Sequence, residues 1–276
     1  MYILKKKIVS AFVILVYRNT TDLIDALESI KIFCEDYAAV IVNSYYDEAT
    51  QMEFERIAKQ YQCEVIKVEN KGYSYGNNRG IEYFNSHYEY DYMIISNPDI
   101  IIRKFSLNSI KLRGDVPAVY APVIRTKTGK IQNPFLAVKN DLAEMMIYQG
   151  FKENKRYLIN MGVGMNKIIR LIFHDLLINK GKKDLHSIYA AHGSFLIVSR
   201  RAVELLGNVF DENMFLFAEE NCLACRLYKL QIPMYMTTDI EILHKEDGSM
   251  KLTDINQYEI VRQSMIYYYE KYVKKV

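Results

Sequence analysis

The sequence predicts an α/β protein in which helices cover both faces of a mostly parallel sheet. Short apolar runs rich in Val and Ile alternate with amphipathic segments of helical length through the first hundred residues. Half of the 276 residues are hydrophobic and a quarter are charged, as in ordinary soluble proteins. Because each crossover between parallel strands carries a helix to one face, this alternation favours a sheet with both faces buried.

The first elements follow in order from the N-terminus. Residues 8–17 form an apolar, β-branched run, and residues 22–33 place Leu and Ile at helical spacing. The alternation continues with a strand at 38–44, a helix at 48–61, a strand at 63–69, a helix at 77–88 and a strand at 90–96. Parallel sheets bind ligands beyond the carboxyl ends of their strands, so we expect the functional residues there.

The second half of the chain is less regular. Residues 166–183 read as a basic amphipathic helix flanked by loop-like stretches. The other predicted elements are a strand at 118–124, a hairpin-like turn at 125–134, a strand and helix at 193–207, a long helix at 214–231, an extended run at 232–244 and a closing helix at 255–276.

A polar turn interrupts the apolar run at 90–102. Ser96, Asn97, Pro98 and Asp99 separate two groups of Ile residues. A proline removes a ladder donor from a strand, and a carboxylate at the rim of a core is costly unless it is paired. The segment is therefore either an Asx-Pro turn that closes a strand or a site that holds Asp99 for a ligand.

The net charge, the length of the apolar runs and the cysteine content indicate which partners and which compartment to expect. The formal net charge of +3 is too small to indicate a nucleic-acid partner, and we expect none. The apolar run at 8–17 follows three lysines, but it is far shorter than the roughly 20 residues of a spanning helix. The four cysteines suit reduced thiols, so we expect a cytoplasmic protein.

Six segments, in this order, resemble the family 2 glycosyltransferases, in particular rhamnosyltransferase-like and capsule or O-antigen members. They are VILVYRNTTDLIDALESI, VIVNSYYDE, NKGYSYGNNRGI, ISNPDI, HGSFLIVSRRAVELLGNVFDENMFLFAEENCLACRL and EILHKEDGS. The resemblance implies an inverting transfer of a sugar from a UDP- or dTDP-sugar to a saccharide acceptor in surface polysaccharide biosynthesis.

The resemblance also implies the GT-A fold in a single domain over residues 1–276. Its parts would be a nucleotide-sugar-binding half at 1–125, an acceptor-binding half at 126–250 with a helical insertion at 139–185, and a C-terminal helix at 251–276.

On the donor side, the resemblance places Asp99 at the D-x-D motif. There it would bind Mn²⁺ or Mg²⁺, which neutralises the leaving diphosphate, and His244 would be a second ligand. Asn97 would touch the sugar or ribose, and Tyr17 would flank the base. Asn43 stands where the family usually has Asp, and its carbonyl oxygen could accept a hydrogen bond from a uracil or thymine N–H.

A glycine-rich loop at 70–80 precedes a predicted helix, where glycine allows close approach and the helix N-terminus favours anions. Gly72 is therefore a candidate nucleotide-sugar residue. The resemblance adds Asn78 and Gly80 to the same wall. Arg79 is either a phosphate partner or a solvated helix residue.

On the acceptor side, FLFAEEN (215–221) matches an acidic motif of the family. The resemblance makes Glu220 the general base and Glu219 the residue that orients the acceptor, although the two could exchange roles. Acidic residues are also favoured in the first turn of any helix.

Further acceptor-side residues are implied by the same likeness. His192, Gly193 and Ser194 would contact the acceptor, because glycine lets it come near.

Asp247 and Ser249 would belong to a loop that orders over the donor.

Two basic amphipathic segments, 166–183 and 267–276, suit an anionic membrane surface, where a lipid-linked saccharide acceptor would be presented. The protein would then lie at the inner face of the cell membrane. The same segments suit a homodimer contact or the cover of a core.

Two other functions are compatible with parts of the sequence. A catalytically degenerate member could act as a binding or scaffold subunit, since Asn43, Asn97 and Glu220 depart from the usual residues. A sugar nucleotidyltransferase would carry a glycine-rich phosphate loop after its first strand, and the segment VYRNTTD lacks one.

Overall fold

The computed structural model describes residues 5–175, 184–246 and 256–274. The strands are β1 (Lys6–Val16), β2 (Tyr37–Ser44), β3 (Glu64–Val68), β4 (Tyr88–Ser96), β5 (Ile100–Phe105), β6 (Val119–Thr126), β7 (Leu185–Ile188), β8 (Phe195–Ser199) and β9 (Met234–His244). The helices are α1 (Thr20–Phe33), α2 (Glu48–Tyr61), α3 (Tyr73–His87), α4 (Asn108–Lys111), α5 (Asp141–Lys152), α6 (Arg156–Phe173), α7 (Arg200–Leu206), α8 (Glu219–Lys229) and α9 (Gln257–Tyr268), followed by a π-helical turn (Tyr269–Val273).

All of these strands join one sheet in the order β3-β2-β1-β4-β8-β6-β9-β5, with β7 also paired to β9. Strands β1 to β4 are parallel to one another, which confirms the arrangement predicted from the alternating elements. Beyond β4 the sheet is mixed, because β8 runs antiparallel to β4 and β6 while β6 and β9 are parallel. Strands β5 and β7, which the sequence pattern did not predict, both run antiparallel to β9.

Successive side chains of β1 enter cores on opposite faces of the sheet. Phe12 packs in a cluster with residues of α1 and α2, whereas Val13 packs in a cluster with residues of α3 and α8. Side chains alternate between the faces of a strand, so a strand that is apolar at every position needs a cover on both sides. The predicted helical cover of both faces is confirmed.

Side-chain caps explain where the first two helices begin. The Asn19 side chain accepts a hydrogen bond from the Asp22 N–H (3.1 Å), and the Asp47 side chain accepts one from the Thr50 N–H (2.8 Å). Each cap satisfies a backbone donor that has no partner inside the helix. The caps therefore fix where the turns that follow β1 and β2 end and the helices begin.

Residues 139–165, for which the sequence predicts loop-like structure, contain α5 and most of α6. Two glycines bring these helices together: a Cβ on Gly162 would lie 2.7 Å from the Ala143 carbonyl oxygen, and one on Gly150 would lie 2.8 Å from the Ile159 nitrogen. Glycine lowers intrinsic helix propensity, so tertiary packing overrides the local signal here. The last part of the predicted basic helix, 176–183, lies outside the described residues.

The long helix predicted at 214–231 is shorter in the structure and begins at Glu219. Phe217 and Ala218 both have left-handed backbone angles (φ 71° and 64°), which end any helical path before them. Among the described helices, none combines the length and apolarity that crossing a bilayer requires.

The parallel strands bring three predicted site residues to one edge. Val16 pairs with Asn43 across β1 and β2, and Ile14 pairs with Ser96 across β1 and β4. Tyr17, Asn43 and Asn97 therefore lie at the carboxyl ends of adjacent strands.

Candidate active site

The turn between β4 and β5 is held by two distant strands. The Asn97 N–H donates to the Ser194 carbonyl (2.9 Å), and the Lys245 N–H donates to the Asp99 carbonyl (2.9 Å). Asp99 is only 2% exposed, and its Oδ1 has no hydrogen-bond partner among the described residues. A buried, unpaired carboxylate oxygen is costly, so a plain Asx-Pro turn does not account for this residue.

His244 faces Asp99, with its Nε2 3.3 Å from the Asp99 Oδ2. The Gln132 amide N–H donates to Glu246 (2.9 Å), which directs the Gln132 Oε1 to the His244 Nδ1 at 2.7 Å. Because Oε1 only accepts, Nδ1 carries a proton, and Nε2 is the ring atom that faces the carboxylate. A carboxylate oxygen and a ring nitrogen at this distance are held together by a proton or another cation close to both.

The Asp99–His244 pair fits a divalent cation. Carboxylate oxygen and imidazole nitrogen are both ligands for Mn²⁺, and a second hydrogen bond that orients the ring is the usual support of a metal-bound histidine. Across the described residues, no group of three His, Cys, Asp or Glu side chains is arranged to hold a metal. The protein would thus supply two ligands, and the other coordination positions would go to phosphate oxygens and water.

Asn43 presents an unused acceptor at the end of β2. Its Nδ2 donates to the Gln51 Oε1 (2.6 Å), and the Gln51 Nε2 donates to Glu55 (2.6 Å). Glu55 accepts only, so this chain of hydrogen bonds sets both amide orientations and leaves the Asn43 Oδ1 without a partner in the described structure. Tyr17 lies half-buried nearby, edge-on to Tyr46 at 5.7 Å between ring centroids.

Packing explains two of the three glycines in the segment 70–80. Gly72 has φ 103°, and a Cβ there would lie 2.0 Å from the Phe215 carbonyl oxygen. A Cβ on Gly80 would lie 2.4 Å from Val13 and 2.8 Å from Val42. Close protein atoms are sufficient to require glycine at both positions. The predicted role of Gly72 toward a nucleotide sugar stays a prediction.

Asn78 and Arg79 hold the segment that precedes α8. The Asn78 amide donates to the Phe210 carbonyl (2.9 Å) and to Glu212 (2.8 Å), while its Oδ1 accepts from the Phe210 N–H. Arg79 contacts Glu82 (2.6 Å) and Glu212 (2.8 Å). Within the described ranges, none of these contacts joins either residue to the Asp99–His244 pair. Partners inside the protein account for the Asn78 amide, whereas the Arg79 Nε is buried without a partner among the described residues. The predicted roles of both residues toward a donor stay predictions.

Two carboxylates begin α8 directly after a strained backbone. Phe217 and Ala218 adopt left-handed angles that are uncommon for residues with a Cβ, and such strain often occurs at functional sites. Glu220 accepts a hydrogen bond from the Gly193 N–H (3.0 Å). Glu219 is 5% exposed, and its Oε1 has no partner among the described residues.

Both carboxylates of the acidic pair have raised pKa values. Burial, together with the charge of Glu220, raises the pKa of Glu219 to about 8. Burial also raises the pKa of Glu220, but the backbone N–H groups of Glu220 and Gly193 oppose that shift. Glu219 therefore keeps its proton at neutral pH, and the two backbone donors favour the ionised form of Glu220.

The segment 192–194 joins the two groups of residues. The Ser194 carbonyl accepts a hydrogen bond from the Asn97 N–H, and the Gly193 N–H donates one to the Glu220 carboxylate. The His192 ring lies edge-on to His244, with 5.6 Å between centroids. Three consecutive residues thus contact the turn that carries Asp99, the His244 ring and the Glu220 carboxylate.

His192 is a neutral ring in this segment. Its Nδ1 accepts the Ser194 N–H (3.2 Å), and burial, with a further contribution from His244, lowers the pKa of His192 to about 4. Its backbone N–H donates to the Asn133 Oδ1 (2.7 Å), which holds the segment in place.

Several residues of the site were not predicted. Tyr73 donates from its hydroxyl to the Gly193 carbonyl (2.6 Å), and its pKa is raised by burial and by the charges of the acidic pair. Gln132 orients the His244 ring, and Asn133 holds the backbone of His192. Both residues belong to the segment 125–134, in which the sequence shows only turn signals. No sequence pattern distinguishes such residues from surface polar groups, since they act through distant partners. Asp247 and Ser249 lie outside the described residues.

Replacing Glu219 with Gln is expected to remove a pH dependence of stability. In the wild type the folded protein keeps the Glu219 proton up to about pH 8, whereas a carboxyl of ordinary pKa 4.5 releases it. Within this window the folded state binds more protons, so the free energy of unfolding falls as the pH rises. The melting temperature of the variant, relative to wild type, should therefore increase from pH 5 to pH 8.

The matched control is Glu204→Gln on the exposed surface of α7, which should keep a constant difference from wild type over the same range. If Glu219→Gln also kept a constant difference in melting temperature from wild type, the pKa of Glu219 would not be raised in the folded protein.

Comparisons with known proteins identify the fold. No protein-family model and no curated protein sequence matches the chain. The fold is similar to that of GalNAc-T7 with UDP, GalNAc and Mn²⁺, at 10% identity and a TM-score of 0.57, over 86% of this chain and 44% of that one. It is also similar to residues 1–349 of S. aureus TarS in complex with UDP-GlcNAc, at 11% identity and a TM-score of 0.57, over 97% of this chain and 68% of that one.

The chain thus spans less than half the length of the GalNAc-T7 chain. Identities this low establish the fold alone, and the predicted GT-A fold is confirmed. Membership of family 2 stays a prediction.

Proposed function

We propose that this chain is a metal-dependent, inverting glycosyltransferase that uses a UDP- or dTDP-sugar. The observation that carries the proposal is the segment 192–194, which contacts both the turn of Asp99, whose Oδ1 has no partner among the described residues, and the Glu220 carboxylate. A leaving diphosphate and an attacking hydroxyl need these two groups on opposite sides of one sugar. A saccharide acceptor in surface polysaccharide assembly is supported by the sequence resemblance.

On the donor side, the Asp99–His244 pair would hold Mn²⁺ or Mg²⁺. When bound there, the cation supplies positive charge to the departing diphosphate. Gln132 keeps the His244 Nε2 lone pair available by accepting the hydrogen bond of Nδ1–H. The free Oδ1 of Asn43 suits the ring N–H that uracil and thymine share, and Tyr17 lies beside it.

On the acceptor side, Glu220 removes the proton of the acceptor hydroxyl. As that O–H bond breaks, the oxygen bonds to the anomeric carbon, and the bond from this carbon to the diphosphate oxygen breaks on the opposite face. Neutral Glu219 can donate a hydrogen bond that orients the acceptor. Gly193 leaves room for Glu220, because a Cβ there would lie 2.9 Å from the Glu220 Oε1.

A panel of sugar nucleotides tests the proposal by thermal shift with and without Mn²⁺. A UDP- or dTDP-sugar at a hundred times its Kd should raise the melting temperature by roughly 5 °C or more, and more with Mn²⁺ than without it. Enzymatic release of UDP or dTDP should accompany binding. GDP-mannose is the control, since guanine does not offer the pyrimidine pattern.

Each negative outcome has a distinct meaning. No shift with any uridine or thymidine donor would overturn the donor class. A shift without release of nucleoside diphosphate, with a range of saccharide acceptors present, would favour the scaffold alternative over an enzyme.

A further inference from the structure

Helix α6 turns its apolar side chains away from the protein. Its buried residues are Gly162 and Phe173. The exposed ones include a group that we name the α6 stripe, whose members and exposed fractions are Tyr157 (58%), Met161 (54%), Ile168 (60%), Leu171 (59%) and Ile172 (52%). The helix is amphipathic, but a large apolar surface has no cover within the described structure.

The spacing of the stripe makes it continuous. With Gly164 included, the stripe follows positions 157, 161, 164, 168 and 171. Successive positions are four or three residues apart, so they lie on one side of the helix. Gly162 lies on the opposite side, against Ala143 of α5. The stripe is about 22 Å long at the rise of an α-helix. The helix covers part of the core through Phe173 and Ile169, whereas the stripe faces away from that core.

The exposed apolar residues are concentrated and not scattered. Of the twenty large hydrophobic side chains that are exposed in the described residues, nine lie between positions 138 and 172. Single exposed hydrophobic residues are ordinary, whereas a contiguous group marks a contact surface.

Positive charge accompanies this surface. Residues 152–175, the described part of this segment, contain five of the 36 Lys and Arg residues and two of the 33 Asp and Glu residues. The rest of the chain has 31 basic and 31 acidic residues, so the net charge of +3 corresponds to this segment. Lys167 and Arg156 are exposed on the helix beside the stripe.

We propose that α6 docks the protein on the surface of an anionic lipid bilayer. The stripe would enter the boundary between headgroups and acyl chains, and the basic residues would meet lipid phosphates. A second copy of the chain is a poorer occupant, because it would bring the same positive charge to the contact. The inference goes beyond the proposed transferase function and does not depend on it.

Another side of α6 lines a cavity that reaches the start of α8. This cavity, of about 310 Å³, has Val163 and Lys167 of α6 on one wall and Asn221, the residue after Glu220, on another. Docking through α6 would therefore hold this cavity near the lipid surface, where a membrane-linked acceptor would be within reach.

Vesicle flotation of the full chain tests the proposal. We expect binding to vesicles of equimolar phosphatidylcholine and phosphatidylglycerol, weaker binding at higher salt, and little binding to phosphatidylcholine alone. The double variant Ile168→Gln, Leu171→Gln should lose about tenfold or more in affinity. Lys167→Gln should lose about fivefold.

Matched controls are Ile32→Gln with Leu112→Gln, whose side chains are 73% and 89% exposed outside the α6 surface, and Lys111→Gln. The controls should bind as wild type does. Absence of binding by the wild type, equal binding to phosphatidylcholine alone, or equal losses in the controls would overturn the proposal. A wild-type dimer in sedimentation that the stripe variant dissociates, without vesicle binding, would assign the surface to self-association and also overturn it.

Discussion

Replacing Glu220 with Gln is expected to abolish sugar transfer while donor binding is retained. The amide oxygen of Gln can still accept the Gly193 N–H, so the geometry at the start of α8 is kept. The amide cannot take a proton from the acceptor hydroxyl, and general-base catalysis is worth about 10²–10⁴ in rate. The measurements are kcat for transfer and a donor titration by calorimetry.

Two further variants test whether the loss of transfer is specific to Glu220. Glu204→Gln removes an exposed carboxylate from α7 and should leave kcat unchanged. Glu219→Gln should retain much of the turnover near neutral pH, because the proposed site already has a neutral group there. Full activity in Glu220→Gln together with loss of activity in Glu219→Gln would exchange the two roles.

The second large effect is expected for Asp99→Asn, which should eliminate the Mn²⁺-dependent part of donor binding. The substitution keeps the shape of the side chain but removes the charge from one of the two protein ligands. Because a neutral amide oxygen is a weak ligand beside a diphosphate, transfer should fall at least roughly a hundredfold. Melting temperatures with UDP- and dTDP-sugars, measured with and without Mn²⁺, report the loss.

Asp91→Asn is the control for charge removal, since Asp91 is exposed on β4, the strand that precedes the turn of Asp99. It should leave the metal-dependent shift intact. If Asp99→Asn also left that shift unchanged, Asp99 would not be a metal ligand. The proposed stabilisation of the departing diphosphate through this residue would then be wrong.

The first half of the fold is predictable because its signals are local. Runs such as 38–44 are apolar at nearly every position, which only a strand buried on both faces requires, and caps such as Asn19 mark the helix starts. The mixed half is harder, since β5 and β7 are short edge partners of β9 without a pattern of their own.

The sequence by itself determined which chemical groups stand at the ends of the first strands, because parallel strands that alternate with helices share one carboxyl edge. Tertiary structure alone decided that His244 faces Asp99, that Glu220 meets Gly193 and that Gln132 orients the imidazole. It also decided that the apolar side of α6 faces outward. Amphipathic spacing defines two sides of a helix, but only the contacts of the folded chain, such as Gly162 against α5, select the side that is buried.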